Sequence, residues 1–270
     1  EYVVKPLTKA ELDAKMMLPN FEGRLYKQVY ELITQNLEPI TKAKPNVSKN
    51  SAGYYLWNVW DPAANNGAGC FDLTKLLVGS QGTLGIITQI KFRLVSVPRT
   101  SKLLVVFLKD LTKLGELVAA LHETKPESLE SYDDKTFKLV LKYFPQFVKL
   151  MKERGLFSLA LQFIPEFLMV LRGGIPKMVM MVEFTGDDVK EVGARAQAAV
   201  DVVKKFGFPH RLTKDERESK KYWTMRRESF ALMRNNLKDR HTAPFIDDFA
   251  VRPEFLPEFL PKLHTILDKG

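Results

Sequence analysis

Gly79, Gly82 and Gly85 stand three residues apart in the run Asp72-Leu73-Thr74-Lys75-Leu76-Leu77-Val78-Gly79-Ser80-Gln81-Gly82-Thr83-Leu84-Gly85-Ile86-Ile87-Thr88. Glycines so spaced let a backbone turn tightly and come close to a ligand with no side chain in the way. Asp72 is placed to cap a short helix, and Gly79 to end it. Beyond the turn Ile86, Ile90, Phe92 and Leu94 alternate with Lys91 and Arg93, which predicts a half-buried strand. A glycine turn feeding such a strand suits a phosphate- or nucleotide-bearing cofactor at a sheet edge. A tight turn that holds nothing is the alternative. The spacing G-x-x-G-x-x-G, with the turn before a strand, does not fit the dinucleotide fingerprint that sets pyrophosphate on a helix N-terminus.

Other residue types able to do chemistry are few. The histidines are His122, His210, His241 and His264, and no two have metal-ligand spacing, so no metal is expected. His241 lies just before a predicted strand and is the candidate for proton transfer. Asp247 and Asp248 are neighbours on that strand, so they point to opposite faces and do not form a dyad. Cys70 is the single cysteine, which excludes an intrachain disulfide and fits a reducing, cytoplasmic compartment.

The elements that must position these residues fall into two stretches. Residues 1–98 hold a helix at Leu25 to Gln35, a surface loop from Asp61 to Gly69 and the glycine run. Pro98-Arg99-Thr100 marks the boundary. Residues 99–270 alternate strand and helix. Strands are predicted at Lys102 to Lys109, Ser128 to Tyr132, Lys177 to Phe184 (apolar on both faces, so central) and Pro244 to Val251. Helices are predicted at Leu111 to His122, from Val189 to a stop at Gly207, from about Asp215 to Leu237, and after Pro253. The class is α+β.

Length and composition, 270 residues with 45% hydrophobic and 27% charged, are globular values. The net charge of +9 suits nucleic acid, an anionic membrane surface or anionic small molecules. No nucleic-acid-binding module occurs and the basic residues are spread along the chain, so no nucleic-acid partner is expected. Residues 135–177 interleave lysines (Lys135, Lys138, Lys142, Lys149) with aromatics (Phe137, Phe144, Phe147, Phe163). This insert suits a peripheral membrane contact at the inner face, or a helical cap whose aromatics form a local core.

The glycine run resembles the signature of FAD-linked oxidases of the vanillyl-alcohol-oxidase type, such as D-lactate dehydrogenases and the glycolate oxidase FAD subunit. Lys49-Asn50-Ser51-Ala52-Gly53-Tyr54, Glu127-Ser128-Leu129-Glu130-Ser131-Tyr132-Asp133 and Phe245-Ile246-Asp247-Asp248-Phe249-Ala250-Val251 resemble three further words of that family, in family order. The resemblance implies that residues 1–98 are the C-terminal part of a PCMH-type FAD-binding domain. Residues 99–270 would be a ferredoxin-like substrate domain. FAD would lie along Gly79, Ser80, Gly82, Thr83, Leu84, Gly85, Ile86 and Ile87, with Gly53 and Tyr54. Tyr222-Trp223-Thr224-Met225-Arg226 resembles the family's W-x-x-R helix, which makes Arg226 the anchor for a substrate carboxylate. The implied reaction moves a hydride from C2 of a D-2-hydroxy acid, lactate- or glycolate-like, to FAD. In some relatives a lysine on the later strand binds a second carboxylate; Phe245-Ile246-Asp247-Asp248 has none, which speaks against a dicarboxylic substrate. The family's glycine-rich pyrophosphate loop and its later histidine segment are not found, so the chain is expected to be an internal fragment. The electron acceptor and oligomeric state stay open. The rival reading is a cofactor-free basic α+β module that binds a membrane surface or a partner protein.

Overall fold

A computed structural model describes residues 1–47, 53–150, 163, 164, 168, 171, 174–236, 251–267 and 269. Two units divide the chain, residues 1–93 and the described residues from 94 onward.

In the first unit, helices α1 (Lys9–Met16), α2 (Phe21–Gln35) and α3 (Leu37–Ala43) pack beside a two-stranded hairpin. Thr8 and Glu11 form a reciprocal capping box at the start of α1, and Asn20 caps α2. Strands β1 (Trp60–Asp61) and β2 (Cys70–Phe71) pair antiparallel. Their connection turns through Asn65, Asn66 and Gly67, all at positive φ. Asparagine and glycine tolerate that region best, which is why this loop closes as a hairpin. Leu12, Tyr26, Ile33, Val59 and Phe71 are buried together as the core.

The second unit is built on a four-stranded sheet. Its strands are β3 (Thr100–Leu108), β4 (Ser128–Asp133), β5 (Met178–Gly186) and β6 (His210–Leu212), in the order β4-β5-β3-β6. Every neighbouring pair is antiparallel, and β3 and β5 pair from Thr100↔Gly186 to Leu108↔Met178. Helix α5 (Leu114–His122) follows β3, and α8 (Val189–Phe206) follows β5. The resulting βαββαβ path with this strand order is ferredoxin-like. Asp188 caps α8, and Gly207 ends it at φ 73°.

Both central strands are buried on both faces, as their unbroken apolar runs require. Leu104, Val106, Val182 and Phe184 pack against α5 and α8. Leu103, Val105, Phe107, Val179 and Met181 pack under α6 (Asp134–Lys142), α7 (Phe144–Leu150) and α9 (Glu216–Asn236). A last helix, α10 (Leu256–Leu267), adds Leu256 and Leu260 to the α5–α8 side.

Among the described residues of the 135–177 insert, Phe137, Phe144, Phe147 and Phe163 pack into this core. Phe137 and Phe147 are buried, and the Phe144, Phe147 and Phe163 rings meet with centroids 5.4–6.5 Å apart. These four rings make the local core expected of a helical cap. The lysines between them are exposed, with Lys138 paired to Asp134 at 2.5 Å.

Candidate functional site

The glycine run is organised from its first residue. The buried Asp72 carboxylate accepts hydrogen bonds from the Thr74 backbone N–H (3.0 Å) and hydroxyl (2.6 Å), which launches the short helix α4 (Thr74–Leu77). The Ser80 N–H closes back on the Leu77 carbonyl at 3.2 Å, past Gly79 at φ 80°. The Thr83 N–H then donates to the Ser80 carbonyl at 3.0 Å across Gln81 (φ 51°) and Gly82 (φ 78°). Two successive left-handed residues make this a primed type of tight turn, which Gly82 suits.

Thr83 also links the run to the Gly53-Tyr54 word. Its hydroxyl donates to the Ser80 carbonyl at 2.5 Å, so the Tyr54 hydroxyl, 2.7 Å away, donates to it in turn. Gly53 stands at φ 70° beside Tyr54, and the Gly79 face lies against the Tyr55 ring. A side chain added at Gly53, Gly82 or Gly85 would meet nothing within 4 Å, so these backbone faces are open. An open glycine face lets a cofactor such as FAD come close to the backbone, while the Tyr54 and Thr83 hydroxyl protons are spent on holding the turn.

The strand predicted after Gly85 does not form. Ile86 and Phe92 are 95% and 73% exposed, and no ladder partner for residues 86–94 exists among the described residues. Alternation states which side chains share a face, but a strand also needs a neighbouring chain for its hydrogen bonds. Leu84 therefore lies in a bend, and Gly85, Ile86 and Ile87 in exposed backbone outside any helix or strand.

Arg226 lies in the second unit, on α9 above the α6–α7 side of the sheet. Its guanidinium sits 3.4 Å from the Glu130 carboxylate on β4. The preceding residue, Met225, receives the Tyr132 hydroxyl at 3.7 Å. Two side chains from one face of β4 thus register two consecutive residues of α9. Sequence reasoning quoted Glu130 inside a motif but gave it no role. The period-2 spacing of Ser128, Glu130 and Tyr132 was the available signal.

His241 and the Asp247-Asp248 strand lie outside the described residues. His210 makes a 3.0 Å bond from Nδ1 to the Phe208 carbonyl oxygen, and His122 and His264 stand in last helical turns. Among the described residues, no group of three or more His, Cys, Asp or Glu could hold a metal ion. Burial, then the Asp72 and Asp61 charges, push the Cys70 thiol up, which disfavours a thiolate there. None of the described helices is long and apolar enough to cross a membrane.

Residues 97–270 match the family model "FAD linked oxidases, C-terminal domain". D-2-hydroxyglutarate dehydrogenase of Pseudomonas putida is 26% identical over 269 residues, covering 97% of this chain and 25% of the relative. The Escherichia coli protein of the same name is 23% identical, covering 91% and 23%. The glycolate oxidase subunit GlcD of Bacillus subtilis is 36% identical over 75 residues, covering 27% and 16%. A solved alkyldihydroxyacetonephosphate synthase is 18% identical with a TM-score of 0.45, covering 62% of this chain and 31% of that one. The chain spans about a quarter of the length of the hydroxyglutarate dehydrogenases it matches.

Proposed function

The chain belongs to the FAD-linked oxidases through their C-terminal domain, and on that footing we propose that it serves a flavin-dependent dehydrogenase acting on the C–OH group of a 2-hydroxy acid. Residues 1–98 act as the C-terminal part of the FAD-binding domain, and residues 99–270 as the substrate domain. FAD, when bound, supplies the hydride acceptor. Gly79, Ser80, Gly82, Thr83, Leu84, Gly85, Ile86, Ile87, Gly53 and Tyr54 line it. Arg226 grips the substrate carboxylate, which its planar fork matches with two parallel bonds. His241 moves the hydroxyl proton.

The observation that carries this reading is the Tyr54–Thr83 hydrogen bond, which joins two separate motif words at one glycine turn. The relatives' names include D-2-hydroxyglutarate dehydrogenase and glycolate oxidase, so both a dicarboxylate and a monocarboxylate are substrates to test. The absence of a lysine from the 245–248 word favours the lactate- or glycolate-like acid.

Visible absorption of the full polypeptide carrying these residues, after reconstitution with FAD, is the test. Flavin bands near equimolar, with retention reduced severalfold in a Tyr54→Phe, Thr83→Val double variant, support the reading. An absence of flavin at excess FAD overturns it. The second reading, a basic module docking to a membrane surface or partner protein, draws on the exposed Ile86, Ile90, Phe92 and Leu94 and on the net charge of +9.

A further inference from the structure

Arg226 meets a carboxylate that belongs to the chain itself. Glu130 and Arg226 are 3.4 Å apart, and their side chains are 42% and 47% exposed. Such a pair is weak and exchangeable, because water and salt screen it. It is also well placed. Tyr132, two residues along the same face of β4, fixes Met225 beside Arg226. The Arg226 backbone is therefore held while its guanidinium stays reachable. Glu130 faces Met181 across the ladder, and Glu183 lies two positions further along β5 on the same face, opposite Ser128. The surroundings of the arginine thus carry acidic groups.

We propose that Glu130 is a specificity-determining residue that occupies the carboxylate side of Arg226 and must be displaced by the substrate. It keeps the guanidinium turned toward β4 while no ligand is bound. Once displaced, its charge remains beside the site and repels any second negative charge on the ligand. A monocarboxylic 2-hydroxy acid meets this repulsion weakly, and a dicarboxylic one meets it more strongly. The inference rests on the reading of Arg226 as carboxylate anchor.

Calorimetric titration of the FAD-reconstituted full polypeptide with D-lactate and with D-2-hydroxyglutarate tests this. Glu130→Gln is expected to tighten D-lactate about twofold and D-2-hydroxyglutarate about fivefold or more, the scale of an exposed ion pair. Glu130→Asp, which keeps the charge, is expected to stay within about twofold of the wild type on the same scale. A role confined to holding the helix would shift both acids equally, or would weaken them. Unchanged or weaker binding of both acids in Glu130→Gln, with binding abolished in Arg226→Ala, overturns the role of Glu130 and leaves the anchor standing. Binding that survives Arg226→Ala, or wild-type protein that binds neither acid, overturns the anchor reading and this inference with it.

Discussion

Glu183 stands on β5, where burial and then the Glu127 charge hold its carboxyl above the ordinary value of 4.5. The sign follows directly. A carboxyl whose folded value is raised favours the folded state while it is protonated, and that advantage is lost as pH rises through the raised value. Glu183→Gln removes the cost of ionisation. The expected outcome is a melting temperature a few degrees above wild type at pH 7, with the gain gone near pH 4. Thermal unfolding followed by circular dichroism at both pH values checks it. Asp72 is a buried acid whose carboxylate accepts from the Thr74 N–H and hydroxyl. Its helix-starting role is readable from sequence because capping is local. The Arg226–Glu130 pair spans 96 residues of sequence, and no local rule reaches that far.

At the level of elements, α7 shows how a surface-like sequence becomes core. Phe147 is fully buried beneath α9 and is ringed by Phe144 and Phe163. Removing such a ring leaves a cavity, so Phe147→Ala is expected to cost about 3–5 kcal/mol. Chemical denaturation with an unchanged m-value checks that figure. Lysines and aromatics in alternation read equally well as a bilayer contact or as a cap. That Phe137 and Phe147 pack beneath α9 and against the sheet face is information that only the fold supplies. Helix α8 needed no such arbiter: its apolar stripe, its Asp188 cap and its Gly207 stop are all written within twenty residues. Strands β3 and β5 were equally legible from their apolar runs, which in β5 cover both faces. The β1–β2 hairpin was not, since two-residue strands carry no period.

Across the whole molecule, residues 84–97 are the conspicuous departure from expectation. Ile86, Leu94 and Val97 are exposed, and the segment has no strand partner among the described residues. An exposed backbone free of a ladder is what a protease needs. Limited trypsin digestion of the 270-residue chain is therefore expected to cut first at Lys91 and Arg93, releasing two fragments identifiable by mass spectrometry. First cuts within α2 or α8 would contradict this. The sequence by itself determined the α+β class, the capped helices, the central strands and the glycine turn with its family words, because each depends on neighbours within a few residues. Tertiary structure decided what depends on distant partners. It joined Tyr54 to Thr83, set Glu130 against Arg226, turned Phe137 and Phe147 inward, and left the apolar stretch after Gly85 without a ladder among the described residues. Hydrogen bonds and packing between remote segments exist only once the chain has folded, so no window of sequence contains them.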